Sequence, residues 1–123
     1  MPNFSFVLLY VEDPPASAAF YADLLGRPAV ETSPTFAMVP LSGGVMLGLW
    51  SRKTVEPAAA GQAGSSEVAF TVEDAATVKA TFAGWKKRGL KIIQEPAQMD
   101  FGHTFVATDP DGHRLRVFAP EAA

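Results

Sequence analysis

The chain has 123 residues, enough for one domain with a buried core, and its 48% hydrophobic and 19% charged content excludes a disordered chain. A formal net charge of −3 argues against a nucleic-acid partner, which would ask for a basic face. Without cysteine there is no disulfide framework, no thiolate metal site and no thiol nucleophile. The N-terminus lacks a basic segment and its apolar run stops at Glu12-Asp13, so no signal peptide is expected. No run approaches the roughly 18 apolar residues of a membrane span. The expectation is a single-domain cytoplasmic protein.

Taken in chain order, Asn3 to Val11 is apolar and β-prone and reads as a buried strand. Glu12-Asp13-Pro14-Pro15 stops it, and either proline suits the first turn of a helix. Ala16 to Leu25 then shows Ala16, Ala19, Phe20, Asp23 and Leu24 at helical spacing, and Gly26 with Pro28 behind it ends the helix. Three short strands follow near 28–32, 35–41 and 44–51, with Ser42-Gly43-Gly44 as a hairpin turn. Residues 52–66 are rich in Ala, Gly, Ser and Pro and read as a linker.

The pattern then restarts. "EVAFTVED" at 67–74 echoes "FVLLYVED" at 6–13, so Glu67 to Val72 is a second first strand. Asp74 is an N-cap for a helix carrying Val78, Phe82 and Trp85 as far as Arg88, which Gly89 ends. Strands are expected near 90–95, 103–108 and 113–119, the last two joined by the turn Asp109-Pro110-Asp111-Gly112. "TFAMVPLSGGVMLGLW" and "TFVATDPDGHRLRVF" also align with a one-residue gap. The fold class is therefore α+β, with two βαβββ modules in tandem (1–51 and 67–119, joined by 52–66) forming a curved, partly closed mixed sheet within one domain, 1–123.

Alternation assigns faces. Val7, Leu9 and Val11, and Val68, Phe70 and Val72, form aliphatic rows that pack under the helices. The opposite rows are Phe6, Leu8, Tyr10; Met46, Gly48, Trp50; Glu67, Ala69, Thr71; and Arg114, Arg116, Phe118. Such a mixture of aromatics, small residues and charges reads as a concave face open to ligand; the plainer alternative is a solvent or dimer surface.

The doubled βαβββ pattern, "YVEDPPASAAFYADLLGRP" and "FVATDPDGHRLRVFAP" together resemble the vicinal oxygen chelate superfamily of glyoxalases, extradiol dioxygenases and bleomycin-resistance proteins. The resemblance covers nearly the whole chain. Within it, "LGLW" and "FGHTFVATDPDGHRLRV" look most like phenazine-antibiotic resistance proteins, which bind a planar aromatic antibiotic without altering it. Metalloenzymes of the superfamily hold a divalent ion with His or Gln, Glu, His and Glu, and the resemblance carries those positions onto Phe6, Gly48, Glu67 and Arg116. A dication asks for imidazole or oxygen donors. Phe6 and Gly48 offer none, and Arg116 puts a permanent positive charge there. The resemblance thus implies no metal, no cofactor and no catalytic residue of the usual kind. His113 shares parity with Leu115 and Val117 and points away from the face.

Glu67 and Arg116 occupy facing positions in the expected cavity. They form an ion pair, because a lone buried charge is costly, or one of them recognises a ligand, with Arg116 and Arg114 clamping a carboxylate. The other expected ligand-binding residues are Trp50, Phe6, Tyr10, Met46, Phe36, Asp100, Phe101, His103, Phe105 and Phe118, with Met38 adapting its shape beside them. Trp50 ends its strand beside Ser51-Arg52-Lys53 and can stack on a planar ligand. Asp100 would anchor a ligand N–H, and His103 would hydrogen-bond or stack. The leading function is metal-independent binding and sequestration of a small planar aromatic compound of the antibiotic kind, by a homodimer with no nucleic-acid or membrane partner. The alternatives are a glyoxalase- or dioxygenase-like lyase or isomerase with a displaced metal site, and a scaffold whose dimerisation matters more than its cavity.

Overall fold

The computed structural model describes residues 1–121; Ala122 and Ala123, within the expected 1–123 domain, lie outside the described residues. The chain divides into two compact units, Met1–Gly61 and a second beginning at Gln62. Each is a βαβββ module with an open four-stranded mixed sheet and one helix. The α+β class and the tandem modules stand as expected. Among the described residues the strands form two sheets, and no hydrogen-bonded ladder joins them into one.

In the first unit, β1 (Phe6–Val11) runs parallel to β4 (Met46–Ser51), which pairs antiparallel with β3 (Phe36–Pro40), and β3 with the two-residue β2 (Glu31–Thr32). Helix α1 (Pro14–Leu25) starts at the prolines expected in its first turn. Asp13 caps it: its carboxylate accepts the Ala16 N–H at 3.2 Å. Gly26 closes the helix at φ 67°, a left-handed conformation that glycine adopts without strain. The buried stripe is Pro14, Ser17, Ala18 and Tyr21, two residues out of step with the expected spacing of Ala16, Ala19, Phe20, Asp23 and Leu24. In a helix this rich in alanine and aromatics, spacing alone does not select the face. Below α1 lie Leu9, Val11, Ala37, Val39, Leu47 and Leu49, all buried.

In the second unit, β5 (Glu67–Thr71) runs parallel to β8 (Arg114–Pro120), followed by β7 (Gly102–Thr108) and β6 (Lys91–Met99), both pairs antiparallel. Helix α2 (Ala75–Lys87) is capped by Asp74, which accepts from the Thr77 N–H at 2.8 Å and its hydroxyl at 2.6 Å. Lys86 and Lys87 sit in its last turn, where positive charge suits the helix dipole. Trp85 packs edge-on against Phe70 and Phe105, and Phe82 against Phe105, over Leu115 and Val117. β6 runs four residues past its expected end and straight through Pro96. It is an edge strand with register shifts on either side of Gln94, where a missing N–H costs the ladder little. The β7–β8 turn is fixed by buried Asp109, whose Oδ1 accepts from Asp111 N and His113 N, each at 2.9 Å. No helix among the described residues is long and apolar enough to cross a membrane.

Candidate functional site

In each unit the helix covers one face of the sheet, and the opposite face carries most of the expected site residues. In the first unit this face is apolar. Phe6, Leu8 and Tyr10 of β1 remain 39%, 42% and 37% exposed. The register sets Tyr10 beside Trp50 and Trp50 beside Phe36, Leu8 beside Gly48 and Gly48 beside Met38, and Phe6 beside Met46. Trp50 and Phe36 meet edge-to-face with centroids 6.1 Å apart, so the Trp50 ring is held by a neighbour rather than left to rotate. Gly48 permits this packing: a Cβ there would run into Leu8 Cδ2 and lie 3.3 Å from Phe36 Cζ. Leu8 was absent from the expected ligand-binding residues; its place in the row with Phe6 and Tyr10 was the available signal.

In the second unit the equivalent face is charged at one end and aromatic at the other. Arg116 forms a bidentate pair with Glu67, Nε donating to Oε2 at 2.8 Å and Nη2 to Oε1 at 3.1 Å. Its Nη1 donates to Thr104 Oγ1 at 3.1 Å and to Gln94 Oε1 at 3.4 Å, and the Thr104 hydroxyl donates in turn to the Val117 carbonyl at 2.9 Å. Four of the five guanidinium N–H donors are thereby engaged within the chain. Arg114 reaches Glu67 Oε1 through a single longer contact of 3.5 Å, its side chain 44% exposed. The Glu67 carboxyl is held below the usual carboxylate range, first by the Arg116 hydrogen bonds and then by the charges of Arg116 and Arg114, against an opposing effect of partial burial. The expected Glu67–Arg116 ion pair is formed. Gln94 and Thr104, which complete the Arg116 shell, were missed. Both depend on cross-strand register, and Gln94 lies beside a register shift.

The aromatic end holds Phe101 and Phe118, centroids 5.8 Å apart, with the Arg116 guanidinium carbon 5.6 Å from the Phe101 ring centre. Asp100 is exposed beside Phe101. Two expected ligand residues stand in the other row of β7. Phe105 is fully buried on the helix side, opposite Val117 and against Phe82 and Trp85. His103 lies in the same row, paired with Ala119. Its Nδ1 faces Gln98 Oε1 at 3.3 Å and its Nε2 is buried with no partner among the described residues. Both corrections follow from strand parity: 103 and 105 alternate with 104, which faces Arg116.

Nor do the four superfamily metal positions fit a divalent cation here. Phe6 is a hydrocarbon, the space at Gly48 is filled by Leu8 and Phe36, and the Glu67 carboxylate is bound to the guanidinium of Arg116. Among the described residues no three His, Cys, Asp or Glu side chains gather into a metal-binding group.

The Glyoxalase/Bleomycin resistance protein/Dioxygenase superfamily model matches residues 3–117. The phenazine antibiotic resistance protein EhpR of Enterobacter agglomerans is 31% identical over 113 residues, covering 89% of this chain and 86% of that protein. Among solved structures, protein ATC0852 of Agrobacterium tumefaciens is 54% identical, covers 99% of this chain and 100% of its own, and superposes with a TM-score of 0.89. A glyoxalase-related enzyme from Fulvimarina pelagi, 21% identical, shares the fold with a TM-score of 0.82, covering 97% of this chain and 88% of its own. The match along residues 3–117 and the doubled βαβββ architecture agree: the chain belongs to the Glyoxalase/Bleomycin resistance protein/Dioxygenase superfamily.

Proposed function

We propose that this protein binds and sequesters a small planar aromatic compound, of the antibiotic kind, without a metal and without altering it. The observation that carries the reading is the helix-free face of the first sheet, where Trp50 is held edge-on by Phe36 beside the exposed Phe6, Leu8 and Tyr10. A flat ring laid on such a face gains apolar burial at about 25 cal/mol per Å², and stacking on an oriented indole adds roughly 0.5–1.5 kcal/mol. Further along the same face stand Met38, opposite Gly48, and Met46, opposite Pro40, with unbranched, polarizable side chains that adjust to ligands of differing outline.

Two further observations support the reading. At the superfamily's metal positions the Glu67 carboxylate is bound bidentate to Arg116, so the donor chemistry of a glyoxalase or dioxygenase centre is replaced by an internal ion pair. The 31% identity to a protein named for phenazine antibiotic resistance points to the same ligand class. The assembly proposed is a cytoplasmic homodimer, as expected for a soluble sequestering protein of this superfamily.

The protein contains two tryptophans; Trp85 is buried on the sheet-facing side of α2, whereas Trp50 is partly exposed. A Trp85→Phe variant therefore leaves Trp50 as the single reporter. Its fluorescence should quench saturably on titration with phenazine, with the compound recovered unchanged by chromatography. Absence of saturable quenching across a panel of planar tricyclic compounds would overturn the proposal, and so would recovery of a modified compound.

A further inference from the structure

On the helix-free face of the second sheet, one glutamine ties a methionine sulfur to the Arg116 network. Cross-strand partners share a face. Gln94 stands opposite Val106, Ala97 opposite Thr104 and Met99 opposite Gly102, and Val106 lies in turn opposite Arg116. Positions 102, 104 and 106 alternate regularly along β7, so all three β6 residues belong to the side that carries Arg116. In an unbroken strand, positions 94 and 99 would point to opposite faces. The register shift between Gln94 and Ala97 brings both to one side.

There the two side chains meet. Gln94 Nε2 donates to Met99 Sδ at 3.5 Å, and Gln94 Oε1 accepts from Arg116 Nη1 at 3.4 Å. A guanidinium has only donors, so Arg116 fixes the amide with its oxygen inward and its NH2 toward the sulfur. Met99 is 40% exposed, and its cross-strand partner Gly102 has no side chain to cover it. Met38 and Met46 are less exposed, while Met1 at the terminus is fully so. A thioether sulfur carries two lone pairs. The Gln94 N–H occupies and shields one of them, which leaves the other open to an oxidant.

We propose that Met99 is a reversible oxidation site, converted by a peroxide to one sulfoxide epimer, and that Gln94 passes the change to Arg116. The open lone pair of Sδ attacks one peroxide oxygen, and the O–O bond breaks as the S–O bond forms. Sulfur gives up two electrons; with hydrogen peroxide the departing hydroxide takes the proton of the transferred OH and leaves as water. A sulfoxide reductase restores the thioether, with one class of enzyme for each epimer. The new oxygen is a stronger acceptor than the weakly accepting sulfur, and it draws the Gln94 N–H toward itself. At 3.4 Å the bond to Gln94 is longer than those Arg116 makes to Glu67 and Thr104, so it yields first.

The test is a brief exposure of the folded protein to dilute hydrogen peroxide, followed by quenching, digestion and mass spectrometry. Met99 should oxidise at least about fivefold faster than Met38 or Met46. Treating the digested peptides with methionine sulfoxide reductase A or B then reads the epimer free of any influence of the fold. One of the two should clear at least about three-quarters of the Met99 sulfoxide. In Gln94→Glu, which keeps an acceptor for Arg116 but lacks the N–H, the two should clear about equal shares. Gln94→Leu repeats that comparison without the added charge, and an unchanged near-ultraviolet circular dichroism spectrum confirms that each variant folds. The side-chain N–H resonances of Arg116 should shift on oxidation of the unmodified protein and hold still in Met99→Leu. Oxidation of Met99 no faster than that of Met38 and Met46, equal epimers in the unmodified protein, or Arg116 resonances that do not respond would each overturn the inference. It stands or falls independently of aromatic binding.

Discussion

Replacing Glu67 by glutamine removes the charge opposite Arg116 while keeping the shape of the side chain. The Arg116 and Glu67 side chains are 17% and 29% exposed. Their pair thus lies between a surface ion pair, worth about 0–1 kcal/mol, and a buried one, whose breaking costs about 3–5 kcal/mol. Glutamine retains one oxygen for one of the two Arg116 bonds, loses the other, and turns an NH2 donor toward the guanidinium. A loss of about 1.5–2.5 kcal/mol follows. For a chain of this size that lowers Tm by about 5–12 °C.

The pH dependence gives the assay its specificity. Arg116 holds the folded Glu67 carboxyl below its ordinary value. The ionised group therefore stabilises the fold fully above the unfolded value of about 4.3. That contribution disappears as pH falls through the lower folded value. Thermal unfolding followed by far-ultraviolet circular dichroism should show the full gap between wild type and Glu67→Gln at pH 7. The gap should narrow as pH falls below the unfolded value and through the lower folded one. A gap that does not change with pH, or one below about 0.5 kcal/mol at pH 7, would refute the claim that this pair is a structural ion pair.

Three further outcomes follow from the packing. Trp85→Ala should cost about 3–5 kcal/mol by emptying the space between Phe70 and Phe105, whereas Trp50→Ala should cost under about 2 kcal/mol and chiefly weaken ligand binding; denaturant melts compare the two. Gly102→Ala should lose about 3 kcal/mol or more, since φ is 145° and a Cβ would collide with the Ala119 carbonyl oxygen, a backbone atom that cannot step aside. Asp109→Ala should cost about 2 kcal/mol by freeing the Asp111 and His113 N–H groups, and Asp109→Asn, which keeps one acceptor, under about 1 kcal/mol; equal losses in the two variants would show that charge, not turn geometry, matters there.

Much of this fold is legible in the residues because its signals are local. The repeated "VED" with a strand before it, prolines at a helix start, Asp74 at a cap and the Asp109–Gly112 turn each depend on a few adjacent positions. What was hidden depends on partners distant in sequence. The buried side of α1 is decided by the sheet beneath it, and β6 continues through Pro96 because no strand lies beyond that edge to need the missing N–H. The site divides the same way. Glu67 and Arg116 were readable as a pair because strand parity and opposite charge agree. Phe105, expected on the ligand face, stands opposite Val117 on the core side, and His103 shares its row opposite Ala119, because strand parity rather than side-chain chemistry decides the face. Gln94 and Thr104 depend on a register shift that composition does not reveal.

Metal-independent capture of a planar aromatic is tested most directly by calorimetric titration of chelator-stripped protein with phenazine, repeated after adding back a divalent cation such as Mn2+ or Zn2+. The account predicts saturable binding with the same dissociation constant in both titrations, and phenazine recovered unchanged. Binding that appears only with the added metal, or chemical conversion of the compound once metal is present, would contradict it.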